Sequence, residues 1–211
     1  LICEYLEQLQ MKFEVVVTNP PYLGKFAPEL VDFMKKHYKD YKKDLFSAFI
    51  VKNTKISVDK GFMGFMTPFV WMFLSSFKKL REFIVNKNPI YSLVQLEYNS
   101  LSVAMVPACT FLLQNQRELV RNGVYMGLSE FKGADVQEPK TLEAIKNKGC
   151  EWRYETSSVD IKKIKGYPIA YWISDKFRDI FVNEKNLGSK YSPKQGIATA
   201  KNKRFLRYWY E

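Results

Sequence analysis

Four residues near the start of the chain, Asn19-Pro20-Pro21-Tyr22, combine groups that suit the activation of a weakly nucleophilic amine. The lone pair of an aromatic exocyclic amine is delocalised into its ring, so the nitrogen attacks poorly. Two oxygen atoms that accept both amine protons would draw the nitrogen toward a tetrahedral shape and free its lone pair. The side-chain amide of Asn19 and the backbone carbonyl of Pro20 supply such a pair without a general base. The two prolines hold the backbone rigid, so little conformational entropy remains to be lost.

Tyr22 adds an aromatic face on which a nucleobase can stack, an interaction worth about 1–3 kcal/mol per base. A base inside a duplex must first be flipped out of the helix to reach such groups. The pattern therefore predicts methyl transfer to the amine of a base, with Asn19, Pro20, Pro21 and Tyr22 as catalytic residues. The alternative is a Pro-Pro turn in which asparagine and tyrosine have no role, since Asn-Pro alone is a weak turn signal.

The elements around this segment predict how it is positioned. Phe13 to Thr18 is a nearly continuous apolar run, which is typical of a parallel strand covered on both faces. Pro20 and Pro21 end the strand because proline has no amide proton for the ladder. Ligands of open α/β sheets gather at the carboxyl ends of the strands, so the four residues stand where a site is expected.

The rest of the chain alternates between strand and helix patterns. Helices are predicted for Glu4 to Met11, for Pro28 to Tyr38, for Asp44 to about Val58 with Asp44 as N-cap, for a segment capped by Ser75 or Ser76, for Lys140 to Lys148, and for a segment capped by Ser174 with Phe177, Ile180 and Phe181 facing inward. Further strands are predicted for Gly61 to Thr67, Ile90 to Leu96, Cys109 to Gln114 and Val124 to Leu128. This order indicates an α/β fold, with an antiparallel pair of strands at one edge of the sheet.

Composition narrows the class of protein. The 211 residues carry a formal net charge of +11, and a basic balance of this size favours a polyanionic partner, most often nucleic acid. Three distant cysteines without a CxxC pair, and a single histidine, exclude a disulfide framework and a Cys/His zinc site, and they predict a reducing, cytoplasmic compartment. No apolar run approaches the roughly 20 residues that a membrane span needs, so no membrane association is expected.

Several motifs along the chain together resemble a known family. The segment VVVTNPPYLGK is similar to the fourth motif of the amino-methyltransferases that act on adenine in DNA. DLFSAFI, from Asp44 to Ile50, and GFMGFMTP, from Gly61 to Pro68, resemble the motifs that follow it. Residues 71–81, WMFLSSFKKLR, and the later segments KQGIAT and NKRFLR are similar to the large adenine methyltransferases of BREX-type phage defence and of type II restriction-modification systems.

The resemblance implies a function that the residues alone do not specify. It implies methyl transfer from S-adenosylmethionine to adenine N6 in double-stranded DNA, with Asn19, Asp44 and Phe46 bordering the cofactor. DNA contacts are expected from Tyr22, Lys25, Lys201, Lys203, Arg204 and Arg207, and other subunits of a defence system are expected partners. The fold class implied is the C-terminal half of a Rossmann-like class I methyltransferase sheet followed by a mixed α+β region.

The chain also departs from the pattern of that family. Only 18 residues precede Asn19 and the chain contains no GxG, although a sulfonium cofactor needs a glycine-rich loop. The segment between Ser100 and Thr110 lacks the aromatic residue that packs on the flipped base. We therefore interpret the chain as a fragment that is inactive alone. Residues 1–120 are predicted to be part of the catalytic domain, and residues 121–211 a linker and the start of a target-recognition region.

Three other functions remain open from the sequence. The first is a DNA-binding or specificity module that retains NPPY for its fold alone. The second is an NPPY methyltransferase that modifies a glutamine side chain of a protein, or RNA. The third is a nuclease using Asp135 with Glu138 and Lys140, which the short spacing of the carboxylates and Pro139 disfavour.

Overall fold

The structure is a computed structural model that describes residues 11–98, 106–116, 122–192 and 206–207. Within these ranges the strands form one mixed sheet of six, in the order β1-β2-β4-β3-β5-β6. They are β1 (Phe13–Thr18), β2 (Ser57–Pro68), β3 (Ile90–Gln95), β4 (Ala108–Gln114), β5 (Asn122–Gly127) and β6 (Arg153–Ser157). The helices are α1 (Pro28–His37), α2 (Leu45–Ile56), α3 (Lys78–Lys87), α4 (Ala134–Lys146), α5 (Ser158–Lys162) and α6 (Asp175–Asn183). The predicted α/β class is confirmed.

The direction of the strands is mixed. Strands β1 and β2 are parallel, as are β3 and β5, whereas β4 is antiparallel to both β2 and β3. The predicted antiparallel pair, β3 with β4, therefore exists, but its predicted position at a sheet edge is wrong. Strand β4 inserts between β2 and β3, and β3 pairs onward with β5, so the pair lies in the middle of the sheet.

Helices α2 and α3 pack on one face of the sheet and build the main core. Phe46 and Ile50 of α2 and Leu80 and Ile84 of α3 are almost completely buried against side chains such as Phe111. Side chains alternate between the two faces of a strand, so the strand residues that adjoin a core residue such as Phe111 point to the opposite face of the sheet. There, Ala144 of α4 forms a smaller cluster with Met126 and Cys150, near β5. The two clusters give the sheet its layered α/β character.

Strand β1 departs from the expectation of a strand covered on both faces. Val15 is 60% exposed and Val17 is 75% exposed. β1 is the edge strand of the described sheet, and within the described ranges no helix covers the face that carries these two valines. The prediction of the strand is confirmed, and the prediction of its double coverage is wrong for the described residues.

Two predicted helix starts have different outcomes. Asp44 is the N-cap of α2, as predicted, and its side chain accepts a hydrogen bond from the backbone N–H of Phe46. Neither Ser75 nor Ser76 caps α3, because Ser75 to Phe77 form a 3-10 turn and the helix begins only at Lys78. Both serines therefore belong to the 3-10 turn that precedes the α-helix, and neither stands at its N-cap position.

The two later helices also correct the sequence analysis. Helix α6 is capped by Ser174 as predicted, but Phe177, Ile180 and Phe181 are each more than half exposed rather than facing inward. Helix α4 begins at Ala134 rather than near Lys140 and contains Pro139 in its interior. The sixth residue of that helix is thus a proline, although the helix was predicted to begin only after it.

The sheet continues across the boundary proposed between residues 120 and 121. Strands β5 and β6 pair with each other, and β5 pairs with β3. The division into residues 1–120 and 121–211 stays a prediction about function, since β5 and β6 extend the same sheet.

Within the described ranges no helix is long and apolar enough to cross a membrane. The predicted helix from Glu4 lies almost entirely outside the described residues.

Candidate catalytic loop at the end of strand β1

Asn19 and Pro20 extend directly from the end of β1. The parallel ladder with β2 ends at the pair Thr18 and Phe65, so Pro20 lies beyond the regular pairing. Asn19 is exposed and Pro20 is buried. Asn19 also borders an open cleft of about 380 Å³, whose other walls come from β1, β2, β3 and β4. The amide of Asn19 is therefore accessible, as activation of an amine requires.

Tyr22 links this loop to the end of the neighbouring strand. Its hydroxyl donates a hydrogen bond of 2.8 Å to Oδ1 of Asn19 and lies 3.2 Å from the backbone carbonyl oxygen of Met66. Partial burial raises the pKa of Tyr22 above its usual value, and Cys109 adds to the same effect. The hydroxyl is therefore a neutral donor throughout the physiological pH range.

Asp44 holds the residues after Tyr22 against the start of helix α2. Its Oδ1 accepts from the backbone N–H of Leu23 at 3.0 Å and from that of Phe46 at 3.3 Å. The N–H of Leu45 donates back to the carbonyl of Leu23 at 3.0 Å. Burial raises the pKa of Asp44, although the backbone N–H groups of Phe46 and Leu23 oppose that shift. One carboxylate thus caps a helix and fixes the exit of the candidate loop.

Phe46, the second residue expected beside the cofactor, is completely buried. Its ring stacks on that of Phe77 with a centroid distance of 5.4 Å, which places the ring in the core between α2 and the start of α3. The predicted contact of Phe46 with the cofactor stays a prediction. What the structure shows is that this ring supports the start of α2, where Asp44 holds the loop.

A buried polar cluster underlies the end of β2, next to the catalytic loop. The indole Nε1 of Trp71 donates to Oγ1 of Thr67 at 3.1 Å, and Thr67 Oγ1 lies 3.8 Å from Sγ of Cys109. Complete burial raises the pKa of the Cys109 thiol to about 12, despite contacts with Thr67 and Trp71 that lower it. Cys109 is therefore an inert thiol that packs beneath the site.

Arg81 of α3 fixes the loop that follows β2. Its guanidinium donates to the carbonyl oxygens of Trp71 at 2.8 Å, Leu74 at 2.7 Å and Gly166 at 2.9 Å. The side chain is buried, and burial lowers its pKa. Three carbonyls from two distant segments thus share one rigid cation, which joins the loop after β2 to residue 166.

The residues expected to contact DNA are only partly described. Lys25 is exposed, shortly after Tyr22, and Arg207 is exposed as well. Lys201, Lys203 and Arg204 lie outside the described residues. The carboxylates of the nuclease alternative, Asp135 and Glu138, both lie on α4, and the described part of the chain holds no group of acidic, histidine or cysteine residues that suits a metal ion.

Met66 belongs to the site although the sequence analysis did not single it out. Its contribution is a backbone carbonyl, which receives the Tyr22 hydroxyl across 44 positions of sequence. No side-chain pattern can reveal such a group. The available signal was the parallel pairing of β1 with β2, which brings the carboxyl ends of neighbouring strands together.

Comparison with known proteins places these features in context. Residues 4–101 match the Eco57I restriction-modification methylase family. Over 209 residues the chain is 32% identical to the adenine-specific methyltransferase PglX of Lacticaseibacillus casei (strain Zhang), covering 96% of this chain and 17% of PglX. Over 194 residues it is 29% identical to the adenine-specific methyltransferase BrxX of Escherichia coli O9:H4 (strain HS), covering 88% of this chain and 16% of BrxX.

A solved structure shows the same fold. The methyltransferase subunit of a type I restriction-modification system from Streptococcus thermophilus superimposes with a TM-score of 0.58 at 19% identity, over 76% of this chain and 37% of that subunit. The predicted methyltransferase-like sheet is thereby confirmed. The chain spans about a sixth of the length of the two curated relatives that it matches.

Proposed function

We propose that the protein containing this chain transfers a methyl group from S-adenosylmethionine to adenine N6 in double-stranded DNA, because residues 4–101 match the Eco57I restriction-modification methylase family. The relatives PglX and BrxX are named as adenine-specific methyltransferases. The observation that carries the proposal is the placement of Asn19, whose exposed amide follows the last ladder pair of β1. Phage defence or restriction-modification is the proposed setting, in the cytoplasm, with other defence subunits as partners.

In the proposed reaction, the flipped adenine places its amine between Oδ1 of Asn19 and the carbonyl oxygen of Pro20. Each oxygen accepts a hydrogen bond from one amine N–H, so the nitrogen lone pair turns away from the ring and toward the methyl donor. The N–C bond forms as the S–C bond of the donor breaks, and the cationic amine then releases one proton to water. Pro21 adds rigidity to the loop, because its fixed φ removes backbone freedom. The ring of Tyr22 stacks on the base, while its hydroxyl holds Asn19. Stacking uses the ring face and hydrogen bonding uses the hydroxyl, so one side chain serves both purposes.

The residues of this chain fit one border of a cofactor site. S-adenosylmethionine, when bound, supplies an electrophilic methyl group. Asn19 and Asp44 are the residues proposed to face it, with Phe46 supporting them from the core. Oδ1 of Asp44 is already shared by two backbone N–H groups, so its role is to hold the loop as well as to line the border. The remainder of the site needs glycine-rich backbone that the sequence of this chain does not supply.

Lys25, Lys201, Lys203, Arg204 and Arg207 are proposed to contact DNA phosphates. The net charge of +11 supports a nucleic-acid substrate over a protein glutamine, since a polyanion neutralises such a surface. We further propose that residues 1–120 act in catalysis and that residues 121–211 lead into target recognition.

The test is substitution of Asn19 in the full-length protein. Asn19→Ala removes one of the two proton acceptors, and removal of a comparable transition-state hydrogen bond costs about 10²–10³ in rate. We expect N6-methyladenine formation, measured by mass spectrometry of digested DNA, to fall by at least about a hundredfold, while duplex binding persists. Asn19→Asp retains a side-chain acceptor and should keep more activity than Asn19→Ala. Unchanged methylation in Asn19→Ala would contradict the proposal.

A further inference from the structure

Five lysines surround one cleft beside the candidate loop, and they come from helix α1 and from the segments before and after it. The cleft has a volume of about 600 Å³. Its cationic lining comes from the loop after Tyr22, from α1, and from the segment that joins α1 to α2. One carboxylate, that of Asp40, lines the same cleft. The lysines are Lys25, Lys35, Lys39, Lys42 and Lys43.

Hydrogen bonds between Leu23 and the start of α2 place this cleft next to Asn19 and Tyr22. The N–H of Leu23 donates to Asp44 and its carbonyl accepts from the N–H of Leu45, so the segment after Tyr22 lies beside the segment that leads into α2. At Gly24, an added Cβ would lie 3.7 Å from the carbonyl oxygen of Lys43, so the two segments are neighbours there. Lys25 thus follows the catalytic loop directly and faces the same cleft as Lys43. The position of the cleft relative to the proposed catalytic residues is fixed by the fold.

The positive charge of the cleft is largely unneutralised. Lys35 pairs with Asp32 at 3.4 Å, but both side chains are mostly exposed, and such pairs contribute little. Within the described ranges the other four lysines form no salt bridge. Grouping like charges around a cleft is unfavourable in the free protein and becomes favourable when a polyanion enters. The floor of the cleft is partly apolar, formed by Phe26, Val31 and Met34.

We propose that this cleft, the lysine cleft, binds consecutive phosphates of the DNA strand that carries the flipped adenine. The inference rests on the proposed function and extends it, since among these lysines only Lys25 was expected from the sequence to contact DNA. Lysine suits this role because its ammonium group acts as a point charge on phosphate without reading the base sequence. Lysines on both sides of the cleft hold the backbone, while the target base enters the loop of Asn19 and Tyr22.

The test uses full-length protein and a fluorescent 30-base-pair duplex of arbitrary sequence, titrated over a series of NaCl concentrations. The variant is Lys25→Gln/Lys42→Gln/Lys43→Gln, which removes three charges with little change of volume. The matched control is Lys12→Gln/Lys55→Gln/Lys87→Gln. These three exposed lysines line another cleft, of about 760 Å³, at the opposite ends of the strands. A second control, Lys25→Arg/Lys42→Arg/Lys43→Arg, preserves the charge of the lysine cleft.

The slope of log K against log salt is negative, and the lysine-cleft variant is expected to reduce its magnitude by about three, one per phosphate contact. The arginine variant and the distant control should keep the slope of the wild type. Equal slopes for the lysine-cleft variant and the distant control would overturn the inference, whether the cleft then proves to be solvated or to serve another partner. Failure of the proposed function is a different result, since it would appear as unchanged methylation in Asn19→Ala or as no N6-methyladenine formed by the wild type.

Discussion

The hydroxyl of Tyr22 donates a hydrogen bond of 2.8 Å to Oδ1 of Asn19, the atom proposed to accept a hydrogen bond from the adenine amine. A carbonyl oxygen has two lone pairs, so it can accept from the tyrosine and from the amine together. The bond also turns the oxygen of the amide, rather than its NH2 group, toward the tyrosine. Tyr22 therefore positions Asn19 in addition to offering a stacking surface.

Substitution Tyr22→Phe separates the two roles of this tyrosine. It retains the ring and removes a neutral hydrogen bond worth about 0.5–1.5 kcal/mol, so kcat for methylation should fall about 2- to 12-fold. Tyr22→Ala also removes stacking worth about 1–3 kcal/mol and should cost more. Single-turnover methylation of duplex DNA by full-length protein measures both. A Tyr22→Phe variant as fast as the wild type would show that the hydroxyl has no positioning role.

Substitution Asp44→Ala should loosen the exit of the catalytic loop. It removes an N-cap, which costs about 1 kcal/mol, together with the acceptor of the Leu23 N–H. Asp44→Asn is the matched control, because asparagine caps a helix about as well as aspartate. Hydrogen exchange of the amides at Leu23 and Phe46, measured without cofactor, should speed up in Asp44→Ala and change little in Asp44→Asn. Equal exchange in both variants would contradict the clamp.

Removal of the Arg81 guanidinium should release the loop after β2. Arg81→Met leaves three carbonyls without their donor, and bonds to a charged group are worth about 1.5–3 kcal/mol each. Amide protection in residues 69–77, measured by hydrogen exchange, should fall by about a hundredfold or more. Lys79→Met on the same helix removes an exposed pair with Glu82 and should change protection little. Similar losses in both variants would refute a special role for Arg81.

The Cys109 thiol should make stability depend on alkaline pH. Burial raises its pKa to about 12 in the fold, so the unfolded chain, in which the ordinary value applies, releases its proton first. This contribution is fully present below the unfolded pKa and decreases as the pH rises toward 12, by up to about 1.4 kcal/mol per pH unit. Protection of the β4 amides in the wild type should therefore fall more steeply above pH 9 than in Cys109→Ala. Parallel profiles would contradict this assignment.

Local patterns predicted much of the structure around the candidate site correctly. The strand from Phe13 to Thr18, the Asp44 cap of α2 and the α/β class were all readable, because apolar periodicity and capping depend on residues close together in sequence. The same patterns were insufficient for α6, whose apolar stripe is exposed, since amphipathicity alone does not specify what a helix packs against. They also placed the β3–β4 pair at an edge, although sheet order depends on distant pairings.

The sequence by itself determined the chemistry of the Asn-Pro-Pro-Tyr segment, because the side-chain amide, the rigid backbone and the aromatic ring are properties of those residue types. Only the tertiary structure decided that Tyr22 reaches both Asn19 and the carbonyl of Met66, and that lysines from separate segments share one cleft. The physical reason is that each contact depends on how the chain folds between the groups, across 44 positions for Tyr22 and Met66 and around helix α1 for Lys25 and Lys43. Their proximity follows from the order and direction of strands, which the whole chain sets together.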